Sequence, residues 1–168
     1  MRAQNQNMTT EPDRITAATY PIAVIMERAK LASPWQPYQW KARGVVRDIF
    51  PAGTSERVMQ QDEQRWQILY PGLELKLMLD EAEGYYLNLN APQPKVFVMW
   101  RMHDEEPRPH SVTVSYHEAA RFLDAGEQVD AVAMPDGMAH WVADFVKQHY
   151  RPEPKKVRKR DRRVGLNR

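Results

Sequence analysis

Residues 73–79 read LELKLML, and this strict alternation places Leu73, Leu75, Leu77 and Leu79 on one face of an extended chain. Successive side chains of a β-strand point to opposite faces of the sheet, so a period of two indicates a strand with one buried face. Further apolar or alternating runs of similar length lie at 20–28, 40–47, 65–72, 84–90, 95–102, 111–115 and 128–134. We therefore expect about seven short, mostly antiparallel strands.

The connections between these runs are predicted from polar residues, proline and glycine. The run at 84–90 follows residues 73–79 closely, so we expect a hairpin with Asp80, Glu81 and Glu83 exposed in its turn. Pro71-Gly72 should end the strand before it. Residues 51–64, PAGTSERVMQQDEQ, are expected to form a loop, and HDEEPRPH at 103–110 a charged turn.

Helix signals occur late in the chain. Ser115 followed by Glu118 is a capping box, which predicts an inserted helix beginning there and ending at Gly126. A second helix is predicted from apolar residues at helical spacing, namely Met138, Trp141, Val142, Phe145 and Val146. Because strands precede helices and nothing alternates as βαβ, the sequence predicts an α+β fold with an antiparallel sheet or a small open barrel.

The domain organisation is predicted from composition. We expect a disordered leader at 1–17, one α+β domain at 18–150 and a disordered basic tail at 151–168. The absence of cysteine excludes disulfides, zinc-thiolate sites and thiol nucleophiles. No apolar run has the length of a signal peptide or a membrane span, so we expect a cytoplasmic protein.

The segment SPWQPYQWKARGV, residues 33–45, is the first candidate binding surface. Trp35, Tyr38 and Trp40 could stack on a nucleic-acid base or grip a peptide. From Trp40 onward, alternation places Trp40, Ala42, Gly44 and Val46 on one face and Lys41, Arg43, Val45 and Arg47 on the other. An alternative is that Trp40 enters the core and Trp35 packs over a sheet edge. The partner-binding residues predicted here are Trp35, Tyr38, Lys41, Arg43 and Arg47.

The tail is the second candidate binding surface. Residues 151–168 hold nine basic residues against two acidic ones, a net charge of +7, so the other 150 residues carry −5 of the overall +2. The predicted contact residues are Lys155, Lys156, Arg158, Lys159, Arg160, Arg162 and Arg163. Such a segment attracts polyanions, and nucleic acid, an acidic protein or an anionic membrane surface would all satisfy it.

No catalytic or metal-binding pattern is expected. The histidines and acids of 103–118 lack a known metal-ligand spacing, and HDEEPRPH is typical of a solvated turn. Ser115 and His117 are the nearest approach to a nucleophile with a base, but Ser115 serves as the helix cap. We therefore predict no catalytic residue, no metal and no cofactor.

The order of these segments resembles a known family. YPIAVIMER, PWQPYQWKARGVV, GYYLNLNAPQPKVFVMWR and VTVSYHEAARFLDAG, followed by a Lys/Arg tail, are similar to an uncharacterised bacterial family found mainly in proteobacteria. Its members often lie beside formate dehydrogenase genes, and some are labelled molybdopterin-guanine dinucleotide biosynthesis protein A. The resemblance covers roughly residues 20–160. It implies an accessory role near a molybdenum-dependent formate dehydrogenase.

Three functional hypotheses follow from the sequence. The first is a non-enzymatic accessory or assembly protein that binds a protein partner, and the resemblance implies a formate dehydrogenase subunit as that partner. The second is a nucleic-acid-binding or regulatory module that acts through the tail. The third is a nucleotidyltransferase of molybdopterin cofactor processing, which would need a Gly-rich phosphate-binding loop. The seven glycines of the chain do not cluster into one.

Overall fold

The computed structural model describes residues 16–154, with side chains described from Ala18 onward. The described chain forms seven strands and three α-helices, which confirms the α+β class. The strands are β1 Thr16–Lys30, β2 Tyr38–Arg47, β3 Arg57–Gln61, β4 Arg65–Met78, β5 Lys95–His103, β6 Glu106–Thr113 and β7 Gln128–Ala133. The helices are α1 Ala82–Leu89, α2 Tyr116–Asp124 and α3 Asp136–His149. Most of the predicted leader and tail lies outside the described residues.

The strands form two open antiparallel sheets rather than one closed barrel. The first has the order β2-β1-β4-β3 and the second the order β6-β5-β7. β2 lies beside β7 and β4 lies beside β6, so the two sheets meet along two pairs of strands. The core fills the space between the sheets and under helices α1 and α3. Ile22, Leu75, Val98 and Val142 are fully buried there.

The run at 84–90 is a helix, so the predicted hairpin with 73–79 is wrong. Tyr85 and Asn88 are both buried and lie one helical turn apart in α1. Tyr85 packs edge-on against Phe145 of α3, and its hydroxyl accepts a hydrogen bond from the Met78 amide. A short run of alternating apolar and polar residues fits both periods, and contacts with α3 decide in favour of the helix.

The predicted exposure of Glu81 is wrong for the same reason. Glu81 is 95% buried and accepts a hydrogen bond from the Ser115 hydroxyl at 2.6 Å and another from Arg121. Ser115 also caps α2, because its hydroxyl accepts from the Glu118 amide as the capping box predicts. A Cβ atom on Gly84 would collide with the Ser115 hydroxyl, so this helical position fits only glycine.

Four strand predictions need correction. The turn expected at 103–110 is confined to 104–105, because β5 extends to His103 and β6 begins at Glu106. Residues 57–61 form the edge strand β3 rather than a loop, and β4 continues through Pro71-Gly72 with a bulge instead of ending there. β2 contains a bulge at Arg43, after which Val45 turns into the core and Val46 outward. A bulge adds one residue to a strand, which shifts every later side chain to the opposite face. β5, β7 and α3 form where the sequence predicts them.

Tyr70→Phe should leave stability at neutral pH unchanged within about 1 kcal/mol. The Tyr70 hydroxyl is buried, and no hydrogen-bond partner lies within reach among residues 16–154. Burial raises the pKa of Tyr70 to about 12. A pKa that is higher in the folded than in the unfolded state makes stability fall as pH rises from about 10 to about 12. Urea denaturation should show a smaller alkaline loss in the variant. A clear destabilisation at neutral pH would contradict this account.

Candidate functional site

A cluster of aromatic side chains surrounds Arg28 at one end of the first sheet. The Arg28 guanidinium lies 4.3 Å from the ring centroid of Tyr38 and 5.0 Å from that of Trp66. The rings of Trp40 and Trp66 stand 5.3 Å apart. Guanidinium groups interact favourably with aromatic faces. Arg28 of β1 thus contacts aromatic side chains from both neighbouring strands, Tyr38 of β2 and Trp66 of β4. Tyr38 and Trp40 therefore pack within this cluster, although 41% of the Tyr38 surface remains exposed to solvent.

Trp35 lies outside the cluster, in the connection between β1 and β2. Its side chain is 94% exposed, so the expectation that it packs over a sheet edge is wrong. It stands three residues before Tyr38, which begins β2. An indole in water is the kind of side chain that anchors protein interfaces, where tryptophan is strongly enriched among the residues that carry binding energy.

A basic groove runs between the edges of β2 and β7. Its volume is about 350 Å³, and its charged lining residues are Lys41, Arg43, Lys95 and Asp130. Lys41 and Arg43 come from the predicted basic face of β2, and Lys95 begins β5. Ala131 and Ala133 contribute small exposed side chains from β7. Three cations against one carboxylate make the groove attractive to anions.

Asp130 joins the two sheets at this groove. Its Oδ2 atom accepts hydrogen bonds from the Ala42 amide of β2 and from the Trp100 indole of β5, each at 2.8 Å. The Ala42 amide lies on the edge of its sheet and donates its hydrogen bond to the Asp130 carboxylate instead of to a neighbouring strand. The groove therefore has a fixed width at Ala42, because one side chain holds both strands there.

The groove cations differ from four arginines elsewhere in the described chain, which are paired with glutamates. Arg65, Arg101, Arg108 and Arg121 each form an ion pair with a glutamate. Within the part of the chain that the structure describes, no ion pair joins Lys41, Arg43 or Lys95 to a carboxylate. Such a pair favours the charged form of the acid: hydrogen bonding by Arg101 lowers the pKa of Glu127. The positive charge of the groove has no such compensation from ion pairs.

The predicted binding residues are therefore divided among several places. Arg47 lies at the far end of β2, where its guanidinium stands 5.2 Å from the Tyr20 ring centroid, and it does not line the groove. The basic tail residues, Lys155, Lys156, Arg158, Lys159, Arg160, Arg162 and Arg163, lie outside the described residues. Sequence reasoning missed Lys95 and Asp130. One feature of the sequence could have marked Asp130 as special, since it is a lone acid inside an apolar strand. No such feature marks Lys95.

A second cavity of about 520 Å³ lies between β4 and β6. Its lining mixes charges of both signs, with Glu74, Lys76, His110 and Glu118, so it shows no preference for one kind of ion. No group of three or more acidic or histidine side chains within residues 16–154 is arranged to hold a metal ion. None of the helices described here combines the length and apolar character of a membrane span.

A family profile described as "Protein of unknown function (DUF3305)" matches residues 21–160. The chain belongs to this family. It has no significant match among curated proteins or among solved structures. The DUF3305 region includes β2, β5 and β7, so the whole basic groove lies inside it.

Proposed function

We propose that this DUF3305 protein is a non-enzymatic accessory protein that binds an acidic segment of a protein partner. The observation that carries the proposal is the basic groove, in which Lys41, Arg43 and Lys95 face Asp130 as the single acid. Charge complementarity speeds encounter and selects partners, so such a groove favours an acidic segment over a neutral one.

Trp35 supplies the second element of this proposal. It lies on the connection that leads into β2, the same strand that carries Lys41 and Arg43. Lys41 follows Trp35 by six positions, which is at most about 20 Å of extended chain, so one partner segment could contact both. An exposed indole on the connection into a basic strand provides apolar contact and charge in one interface, which is the usual composition of a protein-binding surface.

The identity of the partner is proposed from the family resemblance. A subunit of a molybdenum-dependent formate dehydrogenase is the first candidate, and a cytoplasmic location belongs to the same proposal. The charge excess of the tail supports recruitment of acidic partners, because a basic segment raises the rate of encounter with them. Nucleic acid would satisfy that charge as well, and it is therefore an outcome that the experiment must distinguish.

Site-specific photo-crosslinking in the native host tests the proposal. Benzoylphenylalanine is placed at position 35 in the full chain and, as a control, at position 123, where Leu123 is 57% exposed on α2. We expect one discrete protein to be crosslinked from position 35 only, through a peptide rich in Asp and Glu. Lys41→Glu combined with Arg43→Glu should reduce that product by about tenfold or more.

A matched charge reversal completes the experiment. Lys76 and Lys147 are exposed lysines on β4 and α3, away from the groove, and Lys76→Glu with Lys147→Glu changes the net charge by the same amount. This control should keep the crosslinked product. Equal loss in both double variants, or crosslinks to nucleic acid alone, would contradict the proposal. Identification of a dehydrogenase subunit would support the partner named above.

A further inference from the structure

We infer that the partner's acidic segment binds as an extended strand along the open edge of β7. This inference rests on the proposed function and specifies how the acidic segment is held. In this mode, main-chain hydrogen bonds to a sheet edge provide affinity, and alternate side chains provide specificity.

β7 is an edge strand with one neighbour, β5. Its side away from β5 faces β2, but the structure shows only one contact that spans the gap by a hydrogen bond, from the Ala42 amide to Asp130. Beyond Asp130, none of the described residues outside β5 forms a hydrogen bond with the backbone of Ala131, Val132 or Ala133. The amide of Met134, directly after β7, donates to the Pro94 carbonyl beside β5, and backbone groups alternate in direction along a strand. Ala131 and Ala133 therefore direct their amide and carbonyl groups away from β5, where an added strand could pair with them.

The other sheet edges carry features that oppose strand addition. β6 contains Pro107 and Pro109, which lack the amide hydrogen, and a bulge between them and Ser111. β3 has five residues and a bulge at Met59. β2 has its bulge at Arg43. Prolines, bulges, short length and lysines are the usual protection of an edge against pairing. β7 reads QVDAVA, is one residue longer than β3, and contains no proline, lysine or bulge.

Lys95 is placed to bind an acidic side chain of the added strand. It stands opposite Ala133 in the β5–β7 pair, so both side chains lie on the same face of the sheet. Ala133 and Ala131 are small and exposed, which leaves the path from Lys95 across β7 open. On the other side of the groove, Lys41 and Arg43 face the same space from β2. An added strand with an acid at every second position would meet positive charge along its length.

The test uses the full-length protein and a fluorescent probe peptide of alternating Glu and Thr, about ten residues long, which suits a single strand. Two further peptides carry N-methyl groups on all the Glu or on all the Thr residues. The backbone groups of successive residues in a strand point to opposite sides, so only one methylated set faces β7. By fluorescence anisotropy, we expect one methylated peptide to bind about tenfold more weakly and the other to bind within about threefold of the parent.

Lys95→Gln should weaken binding of the parent peptide about fivefold, while Lys147→Gln on α3 should change it less than twofold. If both methylated peptides bind like the parent, pairing with β7 is overturned and an acid-binding surface remains. If the parent does not bind, or binds equally well to the Lys41→Glu, Arg43→Glu variant, the proposed function itself fails. Displacement by a single-stranded oligonucleotide that depends on Lys95 would also overturn the inference in favour of nucleic acid.

Discussion

Asn88→Leu should lower the free energy of unfolding by about 3 kcal/mol, because it leaves one buried and two partly buried backbone groups without their partner. Asn88 is fully buried in α1. Its amide donates to the carbonyl of Lys95 at 2.7 Å and to that of Val114 at 2.9 Å, and its oxygen accepts from the Lys95 amide at 2.9 Å. The Asn88 side chain thus connects α1 both to the first residue of β5 and to Val114, which directly follows β6. Urea denaturation of the two proteins measures the difference.

Asn90→Ala is the matched control in the same segment. Asn90 is exposed, and its amide donates only to the carbonyl of Tyr86 within the helix end. Its replacement should change stability by about 0.5 kcal/mol or less, as is usual at exposed positions. If Asn88→Leu were no more destabilising than Asn90→Ala, the role given to Asn88 would be incorrect.

Asp130→Ala should destabilise the protein by about 2 kcal/mol, since it removes the acceptor of two hydrogen bonds. The Ala42 amide and the Trp100 indole would both lose their partner. The contact between the sheets at the groove would be lost with them. Amide hydrogen exchange at Ala42 should therefore accelerate more than exchange in the centre of β5. Urea denaturation measures the loss in free energy of unfolding, and hydrogen exchange shows which strand is loosened.

Asp130→Asn distinguishes the hydrogen bonds from the charge. The amide oxygen of asparagine accepts from the same two donors, so most of the stability should return. The variant also removes the one negative charge among the groove residues, so the acidic peptide should bind more tightly. Equal destabilisation by alanine and asparagine would show that the two hydrogen bonds do not hold the sheets together.

The sequence predicts the elements whose pattern is long or chemically specific. β5 holds an apolar run at 96–100 and has neighbours on both sides. α3 repeats apolar residues at helical spacing, and Ser115 caps α2 through a local hydrogen bond. α1 escaped prediction because its eight residues fit either period. The helical form of α1 depends on packing against Phe145, which is distant in sequence. Bulges escaped for a related reason, since pairing across strands determines where an extra residue is accommodated.

Two of the four charged residues that line the basic groove could be predicted from the sequence. Lys41 and Arg43 stand next to one another on a strand face, so alternation alone marks them as an exposed basic pair. Lys95 and Asp130 reach the groove only because β5 and β7 pair and β7 meets β2. No local pattern carries that information. Arg47 lies away from Lys41 and Arg43 because it is the last residue of the ten-residue strand β2.

The most direct test of the central claim is an amide NMR titration of the full-length protein with the acidic Glu-Thr peptide. The claim predicts shifts at Lys41 to Arg43 in β2 and at Asp130 to Ala133 in β7, with smaller changes at His110 in the opposite cavity. Slowed exchange at Ala131 and Ala133 would accompany them. Shifts confined to the chain from Arg151 onward, with none in β2 or β7, would contradict the claim and assign anion binding to the tail.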